Sequence, residues 1–257
     1  MIDFFSTLAS MKVPGRNINP HISVDCVIFG FSTKMLKVLL IEREYTDTEG
    51  KLQKDYKLPG DFIANDEDLD LAASRTLEEL TGLKDIYLQQ FAFFGKPDRI
   101  SRKEDIEWLK NNTGHDIHRV VTAAYYSLIN VTVSSSESAI KNNATWIDIQ
   151  HIPHLAFDHS AIISRGLAHL QGKLRSEPIG FELLPEKFTI RELQTLYEVI
   201  LGCTLDNRNF RKKILKSKYM VQLEEKQSGV AHKPAYYYRF DRNVYEKYKS
   251  ASMGFNF

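Results

Sequence analysis

The chain has 257 residues, enough for one large or two modest domains, and its apolar (43%) and charged (26%) fractions are those of an ordinary globular protein. Met1 to Gly15 shows no basic start leading into a long apolar run, and no run approaches the roughly 20 residues of a membrane span, which argues against a secreted or membrane-embedded class. The net charge of +1 conceals an asymmetry, because Phe181 onward carries 14 Lys/Arg against 9 Asp/Glu; a mildly acidic body with a basic tail points to a nucleic-acid partner for the tail.

Taken in chain order, Ile22 to Gly30 and Lys37 to Glu44 read as strands joined by a turn around Ser32 to Lys34. Tyr56 to Pro59 reads as a short strand. Leu69 to Thr81 has apolar residues at helical spacing and Gly82 as its stop. Asp85 to Phe94 and Arg119 to Ile129 are β-rich, and the polar insert between them, Gly95 to His118, holds a short helix around Glu104 to Lys110. Thr145 to Ile149 is another strand, and Asp158 to Leu174 is a helix. This order predicts an α/β fold, a mixed sheet sandwiched between helices over residues 1–176. Glu177 to Lys187, with two prolines and a glycine, reads as a linker into a second domain over residues 177–257. Cys26 and Cys203 fall in different domains, so no disulfide framework is expected and a reducing cytoplasm fits.

The stretch Leu58 to Leu83, LPGDFIANDEDLDLAASRTLEELTGL, carries the most specific chemistry of the first domain. Aligned on Arg75, Leu77, Gly82 and Leu83, it resembles a Nudix box, the loop–helix signature of enzymes that cleave nucleoside diphosphates linked to another group. It keeps Glu67, Arg75 and Glu79. Asp61 stands where the box has glycine, and Thr76 and Leu80 replace two of its three helix glutamates. Positions i, i+3 and i+4 share one helix face, so the face that would present three carboxylates to magnesium presents one. A one-residue shift in register aligns Gly60 with the box glycine but places Ser74 and Arg75 at the box arginine and first glutamate. Asp66, Asp68 and Asp70 either compensate or simply favour the helix start. The reading is therefore a non-enzyme with no catalytic or metal-ligating residue and no cofactor.

In the tail, Thr189 with Glu192 three residues on is a capping-box pattern opening a helix that Gly202 stops. Leu205 to Lys216 is a second helix. Phe210, Ile214 and Leu215 face inward there, leaving Asn207, Arg208, Asn209, Arg211, Lys212 and Lys216 outside. Met220 to Glu224 and Ala235 to Phe240 form a hairpin whose tip carries His232 and Lys233. Helix, turn, basic helix and hairpin make the winged-helix plan, in which the second helix enters the major groove. Arginine there reads guanine and asparagine reads adenine, while lysine sits on phosphates. A solvated basic face or a protein-docking module is the competing account.

Three pieces coincide: the altered box, the phrase LAFDHSAI at Leu155 to Ile162, and the run ELQTLYE…LDNRNFRKK. Together they resemble the Nudix-related transcriptional regulators of the NrtR type, within which the chain is most similar to the arabinose-responsive AraR regulators of Bacteroidetes. The resemblance implies a homodimeric repressor on double-stranded operator DNA, released when a small effector binds the Nudix domain. L-Arabinose is the expected effector and ADP-ribose the less favoured one, because Asp61 suits a neutral sugar and repels a pyrophosphate. Arg43, Lys57, Asp61, Arg75, Glu79, Asp158 and His159 are the expected effector-binding residues. Asp158 is equally a helix N-cap, His159 a packed histidine and Lys57 an exposed strand lysine. Arg191, Asn207, Arg208, Asn209, Arg211, Lys212, Lys216, His232 and Lys233 are the expected DNA-binding set. His115 and His118, without nearby cysteines, make no metal site. The alternative function is an active Nudix hydrolase of ADP-ribose or a sugar nucleotide.

Overall fold

The computed structural model describes residues 16–32, 34–177, 179–231 and 233–252. They pack as two compact units. One comprises residues up to Gly30 and Lys37–His169, the other Phe31–Leu36 and Leu170 onward. The division falls inside the long helix before the expected linker, ahead of the 176/177 boundary.

The first unit is a seven-stranded sheet. Five strands run in the order β3 (Leu52–Lys57), β2 (Met35–Thr46), β1 (Ile18–Ser32), β6 (Val121–Asn130), β5 (Gln89–Phe94), with β4 (Gly60–Ala64) paired to β1 and β7 (Ala144–Asp148) paired to β2. Strand β1 is central and almost continuously buried from Ser23 to Gly30, as expected of a strand covered on both faces. Its alternation assigns the two faces. Val24, Cys26 and Ile28 share a core with Ala72, Ala73 and Leu77 of α1 (Leu69–Thr81). Val27 and Phe29 approach Gly166 of α4 (His159–Ser176), where an added Cβ would sit 3.3–3.7 Å from Phe91, Val27 and Phe29. The expected sandwich of helices on a mixed sheet is therefore the fold. Asp25 falls on the α4 face by the same alternation.

Helix α1 begins at Asp68, whose side chain accepts from the Leu71 amide, and ends at Gly82 in the left-handed region, φ 70°. The insert carries α2 (Lys103–Thr113), close to the expected short helix. The sequence pattern does not announce α3 (Val133–Lys141), a short helix of mostly serine and apolar residues nucleated by a reciprocal capping box between Thr132 and Ser135. Nor does it separate β4 from the box loop.

The second unit holds α5 (Ile190–Leu201), α6 (Asn207–Leu215) and the antiparallel pair β8 (Met220–Lys226) and β9 (Tyr236–Phe240), followed by α7 (Arg242–Ser252), which the sequence pattern did not anticipate. Thr189 and Glu192 form the predicted capping box, and Gly202 ends α5 at φ 66°. Phe188 bridges to Tyr238, tying the entry of α5 to the hairpin. Phe181 stacks on Phe240 at 4.0 Å between ring centroids, and Tyr219 and Tyr245 pack edge-on and tilted around Phe240. This is the expected winged helix. Cys26 is buried and Cys203 exposed, both as free thiols. No helix of the described residues is long and apolar enough to cross a membrane.

Candidate functional site

The register of β1 against β4 sets the geometry of the box loop. Val24 pairs with Asp61 and Asp25 with Gly60, so successive residues of the loop serve opposite faces of the sheet. Asp61 lies on the α1 side and meets the helix. Gly60 lies on the α4 side, where an added Cβ would stand 2.0 Å from Asp25 Oδ1. Gly60 is thus the glycine this turn requires. Asp61 is not among the residues with positive φ, which is why a side chain is tolerated where the box has its glycine.

On the α1 side, Arg75 is the hub. Its Nε and Nη2 donate to Glu67 at 2.9 and 2.6 Å, its Nη1 to Asp61 and Glu79 at 3.2 and 3.1 Å, and its Nη2 to the Phe62 carbonyl at 3.1 Å. Glu67 also accepts from the Ala64 amide at 2.7 Å, closing the loop onto the helix. From the other side Arg16 donates to both oxygens of Glu79, at 2.8 and 3.2 Å. Burial works against the Arg75 charge, but Glu67, Asp61 and Glu79 outweigh it and raise its pKa. Burial likewise opposes ionised Glu79, and Arg16 and Arg75 hold its carboxyl below the usual range.

The residues at the three helix positions do not fit a divalent ion. Thr76 is 0% exposed with its hydroxyl in the core, Leu80 packs against the core cluster, and both Glu79 oxygens are engaged by guanidinium groups. Among the described residues no group of three or more His, Cys, Asp or Glu is placed to hold a metal.

On the α4 side lies a buried polar cluster. Asp25 sits 3.4 Å from His159 Nε2 and 3.5 Å from Arg99 Nη2. Arg99 in turn donates to Asp158 at 2.8–3.2 Å. The Asp158 side chain is therefore engaged by arginine, while its carbonyl accepts the Ala161 and Ile162 amides at the start of α4. His159 is a packed histidine whose Nδ1 accepts the Leu58 amide at 2.9 Å. Burial pushes the Asp25 carboxyl up, but His159, Arg99 and Thr122 outweigh it and hold it well below the ordinary carboxylate range.

Arg43 lies deeper still. It is 2% exposed, paired to Asp55 at 2.6 and 2.7 Å and to Asp105 of α2 at 2.8 Å. Three aromatic rings, Tyr45, Trp108 and Phe157, surround its guanidinium at 5.1–5.2 Å. Phe157 adopts φ 53°, a strained conformation for an aromatic residue, held by its amide's hydrogen bond to Asp105 at 3.1 Å. Lys57 links the clusters. It is buried rather than an exposed strand lysine, donates to the Gly60 carbonyl at 3.1 Å, and lies within the fields of Asp61, Asp25 and Arg43. Burial lowers its pKa.

The seven residues expected to bind an effector therefore divide. Asp61, Arg75 and Glu79 line one rim on the α1 side, Asp158 and His159 belong to a buried cluster across the sheet, Arg43 is buried in pairs with Asp55 and Asp105, and Lys57 is buried in the fields of Asp61 and Asp25. Sequence reasoning missed Arg16, Asp25, Asp55, Arg99, Asp105 and Trp108. Only Asp25 had a signal, as a lone acid inside the apolar run ISVDCVIFG.

In the second unit, α6 starts at Asp206, whose side chain accepts the Asn209 amide. Phe210 and Ile214 are buried, and Asn207, Arg208, Asn209, Arg211, Lys212 and Lys216 are exposed. Leu215, expected inside, is 43% exposed, because the last turn of α6 runs past the core. Arg191 of α5 is exposed and donates to Asn207 at 3.1 Å. Lys233 is exposed in the hairpin tip; His232 lies outside the described residues.

A layered mixed sheet with a box-like loop and helix, followed by a winged helix with a cationic second helix, defines a two-part architecture. Residues 19–165 match the model of the NUDIX domain, and residues 180–240 match that of the NrtR DNA-binding winged helix domain. The chain is 33% identical over 234 residues to the ADPR responsive transcriptional repressor NtrR of Acinetobacter baylyi, covering 89% of this chain and 85% of that protein. The crystal structure of Shewanella oneidensis NrtR complexed with a 27mer DNA superposes with a TM-score of 0.66 at 26% identity, covering 88% of this chain and 95% of that one. A MutT/nudix family protein from Enterococcus faecalis shares the fold, with a TM-score of 0.60 at 23% identity over 86% of each chain. The chain belongs to the NrtR-type family, in which a Nudix domain is joined to a winged helix.

Proposed function

We propose that the chain is an effector-responsive, DNA-binding transcriptional repressor, a cytoplasmic homodimer whose Nudix unit binds a small ligand without hydrolysing it. The observation that carries this reading is the face of α6. Seven polar residues, Asn207, Arg208, Asn209, Arg211, Lys212, Lys213 and Lys216, are exposed together, while Phe210 and Ile214 are buried. Two such helices, one per protomer, would enter successive major grooves about 34–36 Å apart. The effector would favour a dimer geometry in which that spacing is lost.

ADP-ribose is the effector we place first, on the strength of the ADPR-responsive relative that aligns with 89% of the chain. L-Arabinose is the second reading. Asp61, half exposed on the rim beside Arg75, supports it, since a carboxylate accepts sugar hydroxyls and repels a pyrophosphate. Isothermal titration of the full chain with each ligand, with and without magnesium, tests the proposal alongside chromatography for products. Saturable binding of one ligand with no turnover is expected. Magnesium-dependent cleavage of ADP-ribose, abolished by Glu79→Gln, would replace this account with the hydrolase reading. An ADP-ribose pyrophosphatase of Methanocaldococcus jannaschii, 29% identical over 57% of this chain, keeps that reading in view.

A further inference from the structure

We infer that Arg16 is a built-in cation of the rim formed by Glu79 and Asp61, a guanidinium that occupies the place between these carboxylates and closes it to a divalent metal ion. Arg16 Nη2 stands 2.8 Å from Glu79 Oε1 and Nη1 3.2 Å from Oε2, a two-pronged pair, and Nη1 lies 3.9 Å from Asp61 Oδ2. Arg75 meets the same two carboxylates at 3.2 and 3.1 Å. A planar guanidinium suits this task because its fork matches a carboxylate and it stays charged at any physiological pH.

The contact is held by backbone as well as side chain. The Asn17 carbonyl accepts the Asn65 amide at 2.9 Å, which fixes the segment ahead of β1 across the loop leading into α1. Arg16 is also the more sheltered partner, with its side chain 22% exposed against 37% for Glu79 and 40% for Asp61. It lies ahead of the span 19–165 matched to the NUDIX domain, so the cation comes from this chain's own lead-in segment. A metal ion would have to displace it. Magnesium and manganese bind through carboxylate oxygens, and here both oxygens of the one remaining helix glutamate are taken. With Thr76 and Leu80 offering no carboxylate, Arg16 supplies through a covalently attached group the positive charge that a removable cation would otherwise bring. The inference holds whichever effector the domain binds.

The test is manganese binding by the full chain, followed through the paramagnetic resonance of free Mn²⁺. Wild-type protein should leave the ion free. Arg16→Gln leaves Arg75 as the one guanidinium on Glu79 and Asp61 and should raise Mn²⁺ affinity by about tenfold, the scale of removing one nearby positive charge from a partly screened site. Adding Glu79→Gln should erase the gain, and Arg16→Lys, which keeps the charge, should stay close to wild type. Wild-type binding as tight as that of R16Q at a site sensitive to Glu79→Gln would overturn the inference. So would a folded R16Q with no gain. Should R16Q prove unstable, the Arg16 side-chain NMR resonance decides. It must shift on Glu79→Gln, and an unchanged resonance refutes the pairing.

Discussion

Replacing Arg43 by methionine should destabilise the first unit far more than removing an exposed arginine would. The substitution keeps most of the side-chain volume within the cage of Tyr45, Trp108 and Phe157. It leaves Asp55, 5% exposed, and Asp105, 1% exposed, with only the longer ion-pair contacts to Arg102 at 3.9 and 4.0 Å. Breaking a buried pair from one side costs about 3–5 kcal/mol. At roughly 2–4 °C per kcal/mol for a chain of this size, the melting point should fall by about 6–20 °C. Urea denaturation is the assay. Adding Asp55→Asn and Asp105→Asn should return much of the loss. A deficit below about 1 kcal/mol, the range of a surface pair, would refute the buried-pair reasoning.

Other predictions rest on the same geometry. Gly60→Ala drives a methyl group into Asp25 Oδ1 and should cost about 1–3 kcal/mol by the overpacking rule; combining it with Asp25→Ser should recover part of that, and a G60A chain of unchanged urea midpoint would contradict the close approach. Asp25 is held below the ordinary carboxylate range, so its stabilising contribution is complete above the unfolded value of about 3.9 and fades as pH falls below it. The stability gap between wild type and Asp25→Asn should therefore be constant from about pH 7 to 5 and close in acid, and a gap that widens in acid would reverse the sign. Arg75→Ala removes the guanidinium shared by Glu67, Asp61 and Glu79; titration calorimetry should show effector affinity abolished while DNA affinity at fixed salt is retained.

Much of the fold was legible because its signals are local. The buried run of β1, the cap at Thr189 and the glycine stops at Gly82 and Gly202 each act within a few residues. Helix α3 escaped because a run of serines reads as loop, and only the Thr132–Ser135 reciprocal bond makes them a helix start. The site was half legible. Arg75 and Glu67 are eight residues apart in a recognisable frame, and they meet as that frame implies. Arg16 reaches Glu79 across 63 residues, Arg99 reaches Asp158 across 59, and Arg43 reaches Asp105 of the polar insert. Charges paired over such distances leave no periodic trace, and a buried lysine such as Lys57 looks in sequence like any strand lysine.

The central claim is a repressor whose operator contact an effector releases. The measurement that bears on it most directly is fluorescence anisotropy of the full chain on DNA from its own upstream region, against random duplex, with ADP-ribose or L-arabinose added. Tight, salt-dependent binding released by one of these ligands is the predicted result. Arg208→Ala and Lys212→Ala should each flatten the slope of log affinity against log salt by about one unit for each phosphate no longer neutralised. Absence of affinity for any duplex at moderate salt, or a slope unchanged by both substitutions, would contradict the account.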